Sequence, residues 1–120
     1  ADQQNKAAAR RDDPNKVWAL ADLQARGAKV YAANCAACHQ ANGKGVPGTF
    51  PALDGSKVVL GKPEGQVDVV LHGRPGTAMA PFKQLSDVEL AAVITYTRNA
   101  WGNKAEQNVV QPSVVTAARK

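Results

Sequence analysis

Two cysteines and a histidine carry the most reactive chemistry in this sequence. They stand together as Cys35-Ala36-Ala37-Cys38-His39, and the 120-residue chain has no other cysteine. Two thiols at this spacing can each add to a vinyl group of one haem to form thioethers, and the adjacent imidazole then reaches the iron. C-x-x-C-H is the haem c attachment signature. Other readings of the pair are weaker. A thioredoxin-like redox disulfide opens a helix within a βαβ pattern, and no strand pattern is evident in this chain. Structural zinc needs a second ligand pair at finger-like spacing, which is missing. The expected cofactor is one covalent haem c, anchored by Cys35 and Cys38, with His39 as the first iron ligand.

The second axial ligand has two candidates. Met79 is the single methionine of the chain and sits in the Gly/Pro-flanked stretch Arg74-Pro-Gly-Thr-Ala-Met79-Ala-Pro-Phe82, which can bring a thioether to iron without helical constraint. A lone methionine is otherwise a gap-filler of cores. His72, in the last turn of a predicted helix, is the alternative, with capping or solvent exposure as its ordinary role. Met79 is favoured, and Met/His ligation raises a haem potential relative to two imidazoles.

These residues need elements to hold them. Leu23, Gly27, Val30, Tyr31 and Asn34 fall on one face of a first helix that leads into Cys35, with Asp22 in its first turn. From Gln40 to Gly61 the chain is rich in glycine and has no sustained period, which predicts a loop wrapped over something. Pro63 suits a helix start and Gly73 its end, with Val67, Val70 and Leu71 as the apolar face. After an irregular stretch from Arg74 to Leu85, Ser86 and Glu89 form a capping-box pattern. The helix it opens carries the stripe Leu90, Val93, Ile94, Thr97 and Trp101, with Gly102 as the expected stop. Pro112 would open a final helical turn. The expectation is an all-α fold of about three main helices and long loops.

Composition bounds the rest. With 44% hydrophobic and 21% charged residues the sequence is ordinary for a globular domain. No window approaches the roughly 20 apolar residues of a membrane helix, so the chain needs no membrane contact of its own. Residues 1–16 are polar, lack the apolar centre of a secretory signal and read as a linker; any signal or anchor would be removed or lie upstream. The formal charge of +5 resides mainly at the ends, since residues 17–103 hold eight basic against six acidic side chains. Without a basic stripe interleaved with aromatics, nucleic-acid binding is not expected.

From about Val17 to Gly102 the sequence resembles the class I cytochromes c. Gly27 and Tyr31 match the family's close helix crossing, with Val93 and Tyr96 opposite. Pro51, in Phe50-Pro-Ala-Leu-Asp-Gly55, resembles the proline whose carbonyl accepts the imidazole Nδ1–H of the haem-ligating histidine, here His39. Tyr31, Arg74 and Trp101 are carried as candidate haem-pocket residues. A closer resemblance is to the cytochrome c domain at the C-terminus of bacterial cytochrome c oxidase subunit II. It rests on Asp13 to Trp18, Cys35 to Gln40, Phe50 to Gly55, Arg98 to Lys104 and Val110 to Pro112. Met79-Ala80-Pro81 departs from the many relatives that have Pro directly after Met.

This resemblance implies a linker at 1–16 to an upstream copper domain and membrane helices, a cytochrome c domain at 17–105 and a C-terminal tail at 106–120. It implies an electron-transfer domain with no catalysis of its own, on the periplasmic side of a bacterial inner membrane and tethered there in the full subunit. The donor would be a small c-type cytochrome or a quinol-oxidising complex, and the acceptor the dinuclear copper domain of the oxidase. A freestanding periplasmic carrier, or the haem domain of a quinone-dependent dehydrogenase, would show the same residues at the haem. A sensor or peroxidase-like site would need an open iron position, against which Met79 argues.

The long loops have little but haem to pack against. Changing both Cys35 and Cys38 to alanine should therefore leave, without haem, a largely disordered chain; a cooperative thermal transition in that apo-protein would contradict the expectation.

Overall fold

The helix that carries most of the core begins at a reciprocal cap. Ser86 Oγ accepts the Glu89 backbone N–H at 3.0 Å, and Glu89 Oε1 accepts that of Ser86 at 3.0 Å, so two of the helix's orphan donors are satisfied before its first turn closes. The computed structural model describes residues 16–77 and 79–119; the expected linker at 1–16 lies outside them save for Lys16. In chain order the helices are α1 (Leu20–Asn34), α2 (Ala36–His39), α3 (Lys57–Leu60), α4 (Pro63–His72), α5 (Asp87–Asn99) and α6 (Pro112–Arg119). Among the described residues there is no strand beyond a single bridge between Val46 and Phe50, and no helix is long and apolar enough to cross a membrane.

The largest helix–helix interface sets α1 against α5. Leu23, Gly27, Val30 and Tyr31 form the buried face of α1, while α5 is buried almost all round, from Val88 to Arg98. At the crossing a side chain on Gly27 would collide with the Ala92 carbonyl and with Tyr96 Cβ. The backbone approach is therefore to Ala92 rather than to the expected Val93.

Three elements differ from their sequence expectation. The loop from Gln40 to Gly61 contains the short α3, nucleated where Ser56 Oγ accepts the Val59 N–H; one hydroxyl is too local a signal to show as periodicity. α5 stops at Ala100 rather than at Gly102, and Trp101 leaves the helix with φ 59°. The cause lies in side-chain amides that take the terminal carbonyls. Asn103 Nδ2 donates to Thr97 O at 2.8 Å and Asn99 Nδ2 to Thr95 O at 2.8 Å. Finally, Pro112 opens a helix of 8 residues, not a single turn.

α6 packs on α5 and α4, burying Val115. Its approach is fixed by paired hydrogen bonds: Thr95 Oγ1 accepts from Val110 N–H at 3.0 Å, and the Gln111 side chain both accepts from Trp18 N–H at 2.8 Å and donates to Trp18 O at 2.9 Å. The segments flanking the helical core thus hold each other.

Gly27→Ala should lower the stability of the haem-loaded protein by about 1–3 kcal/mol, since the overlap is with backbone that cannot swing away. Thermal denaturation measures it, and an unchanged Tm would show that the crossing is looser than described.

Candidate functional site

α1 runs into α2 through Cys35, whose N–H still donates to Tyr31 O at 2.9 Å. The two helices therefore deliver Cys35, Cys38 and His39 as one rigid unit. α2 ends at Gln40, a non-glycine residue with φ 67°, a costly conformation that needs outside support. The Tyr31 hydroxyl supplies it by donating to Gln40 O at 2.6 Å. Burial, with smaller contributions from Cys35 and Tyr96, pushes the Tyr31 phenol well above its ordinary pKa, so it stays a donor.

His39 lies at the wall of a cavity of about 620 Å³, within the range of small-ligand and cofactor pockets. Its Nδ1 is 2.9 Å from Pro51 O. A carbonyl can only accept, so the proton sits on Nδ1 and the Nε2 lone pair is left for a metal. Cys35 and Cys38 line the same cavity as free thiols. Burial, then the neighbouring Cys38, pushes the Cys35 thiol up to about 11. A nucleophilic redox cysteine has its pKa lowered instead, so the disulfide-exchange reading loses ground. Among the described residues no group of three His, Cys, Asp or Glu is placed to hold a metal ion.

Met79 also lines the cavity. The irregular segment that carries it is tied at each end. Arg74 N–H donates to Met79 O at 3.1 Å, Thr77 Oγ1 donates to Arg74 O at 2.7 Å and accepts from Met79 N–H at 3.2 Å, and Phe82 N–H donates to Val70 O at 2.9 Å. Gly73, with φ 68°, lets this segment lie against the end of α4, where a side chain would meet Met79 O and Pro81 N. The remaining wall is largely apolar, from Val59, Val70, Phe82, Leu85, Val93 and Ile94. A large apolar cavity, two thiols, an imidazole with a free Nε2 and a thioether are a donor set and a shape that fit a covalent haem.

The other expected residues divide. Arg74 joins the lining, and Pro51 both lines the cavity and holds His39. Tyr31 and Trp101 stand outside it, in an aromatic cluster with Tyr96 whose ring centroids are 5.4–6.0 Å apart. Trp101 Nε1 donates to Ala41 O at 2.9 Å. Both therefore brace the chain just after His39 instead of touching the cavity. His72 faces solvent beside Asp68 Oδ1 at 3.1 Å.

Sequence reasoning passed over Gln66 and Arg98. Arg98 is completely buried and bonds three backbone carbonyls and Gln66. Its place one residue after Thr97 and four after Ile94 on the buried stripe is the signal that could have found it.

Residues 22–96 match the family described as cytochrome c oxidase, cbb3-type, subunit III. Cytochrome c-552 of Thermus thermophilus is 38% identical over 115 residues, covering 84% of this chain and 77% of that protein. The cytochrome c subunit of alcohol dehydrogenase (quinone) of Gluconobacter oxydans is 43% identical over 94 residues, 69% of this chain but 20% of that one. A cbb3-type cytochrome c oxidase subunit of Azospirillum brasilense is 32% identical over 96 residues, 75% of this chain and 32% of that one. The all-helical fold and these likenesses agree, and the chain belongs to the cytochrome c family, in its cbb3-type subunit III branch, as an electron-transfer domain with haem c.

Proposed function

We propose that Cys35 and Cys38 hold one haem c by thioethers, that His39 and Met79 are its axial ligands, and that the domain passes single electrons to the dinuclear copper centre of a terminal cytochrome c oxidase. The observation that carries the ligand assignment is the shared cavity: both thiols, the His39 ring with Nδ1 engaged by Pro51, and the single methionine of the chain line it together. The bound group supplies a one-electron iron couple. Pro51 orients the imidazole, the turn around Thr77 presents the thioether, and the apolar wall excludes water from both.

Support for the oxidase comes from the resemblance to subunit II at its two ends, Asp13 to Trp18 and Val110 to Pro112. Trp18 and Gln111, one from each word, bind each other. Donors of matching chemistry are a small c-type cytochrome or a quinol-oxidising complex, met on the periplasmic side of the membrane, where thioether attachment takes place. A freestanding carrier is the second reading, favoured by the 77% of Thermus thermophilus cytochrome c-552 that aligns. Stopped-flow mixing of the reduced domain with a soluble dinuclear-copper domain tests the first reading; no electron transfer there, with fast exchange to a c-type cytochrome, supports the second.

Met79→Ala should abolish the Met sulfur-to-iron charge-transfer band at the red edge of the ferric spectrum, and His72→Ala should leave it. A band that survives in Met79→Ala would overturn the ligand assignment. Because residues 17–103 carry eight basic and six acidic groups, the two haem propionates bring the domain close to neutral, and steering by net charge is weak. Electron exchange with a small c-type donor should change less than about tenfold between low and physiological salt. A hundredfold fall would reveal a strong local charge patch.

A further inference from the structure

Arg98 is the largest of the fully buried side chains, with no accessible surface. Its guanidinium donates from Nε to Gln107 O at 2.7 Å, from Nη1 to Val59 O at 2.6 Å and Gln66 Oε1 at 3.3 Å, and from Nη2 to Gly61 O at 2.7 Å. All four partners are neutral. They satisfy its hydrogen bonds and leave its charge uncancelled, and no ion pair among the described residues includes it. The carboxylate that bears on it electrostatically is Glu64, on the exposed first turn of α4. Burial pushes the guanidinium below its ordinary pKa, yet the group is basic enough to remain a cation.

This cation stands directly behind the cavity. Val59, Gln66 and Thr97 all line it, and the first two accept from Arg98 while Gln66 Nε2 donates to Thr97 Oγ1 at 2.7 Å. The Gln66 side chain thus both bonds the guanidinium and lines the cavity. A clamp on three carbonyls would tie the α3 loop to α5 whatever its charge; the charge acts in addition on a group whose own charge changes by one on reduction.

We propose that Arg98 is a potential-setting residue, whose buried charge, hydrogen-bonded to neutral partners alone, favours the reduced state of the haem site. The proposal rests on the haem c reading of the cavity. Reduction adds one electron there, and the positive field of Arg98 in a low-dielectric wall stabilises the product over the reactant.

The test is redox titration of the haem-loaded protein with Arg98 changed. In Arg98→Gln the ferric-to-ferrous ratio at a fixed ambient potential should rise by about tenfold, a fall of about 59 mV in midpoint for a one-electron couple, while covalent haem and the Met79 charge-transfer band persist. Arg98→Lys should recover most of the shift. A midpoint unchanged in Arg98→Gln, with haem attached and the band intact, overturns the proposal and leaves Arg98 a clamp. If Arg98→Gln does not accumulate as holo-protein, Gln66→Glu carries the test, because it sets a carboxylate against the guanidinium and keeps the fork in place. Its midpoint should fall likewise, and an unmoved midpoint overturns the proposal equally. Wild-type protein that fails to attach haem at Cys35 and Cys38 would instead overturn the reading of the site.

Discussion

A cavity of about 620 Å³ inside a chain of 120 residues is the constraint on which the other features depend. A domain of this size has little core to spare, and here Val69 and Val70 of α4 and Val93 and Ile94 of α5 line the cavity. The side chains that do pack on one another concentrate at the α1–α5 crossing, where Gly27 admits the Ala92 carbonyl. On the proposed assignment, a haem held by Cys35 and Cys38 would fill the cavity and complete the core, so that the attachment run would serve stability and function through the same atoms.

Around that cavity, each segment that presents a reactive side chain is tied by hydrogen bonds to its neighbours. The end of α2 is held by Tyr31 and Trp101 through Gln40 O and Ala41 O. The Met79 segment is held by backbone and hydroxyl bonds at Arg74 and Thr77 and by the end of α4. The α3 loop is held by Arg98 and by Asn103, whose side chain bonds Leu53 O, Thr97 O and Gly55 N–H. Electron transfer asks for little rearrangement between oxidation states, and rigid supports of this kind supply it. Among the described residues no buried side-chain polar atom lacks a partner.

What could be read from sequence followed from how local the signal was. The Ser86–Glu89 box, and Pro63 with Gly73, are short patterns whose physics is complete within a few residues, and each appears in the structure where it is expected. Ser56 as the cap of α3 was hidden because a four-residue helix has no period. Trp101 was misplaced because the amides of Asn99 and Asn103, not a glycine, end α5. Arg98 was missed because its partners lie 9 to 39 residues away. Tyr31 and Trp101, candidate pocket residues in the sequence, bond Gln40 O and Ala41 O beside the cavity.

The most direct measurement of the central claim uses the fact that Met79 is the only methionine in the chain. Labelling its methyl group with carbon-13 gives one resonance in the spectrum of the reduced, haem-loaded protein. Bonded to iron over the face of the porphyrin, that methyl should appear far upfield from the ring current and return toward its ordinary position when the haem is lost. A methyl resonance at its ordinary position in the intact reduced protein would mean that the thioether does not reach the iron, and would contradict a cavity that sets His39 and Met79 on one haem.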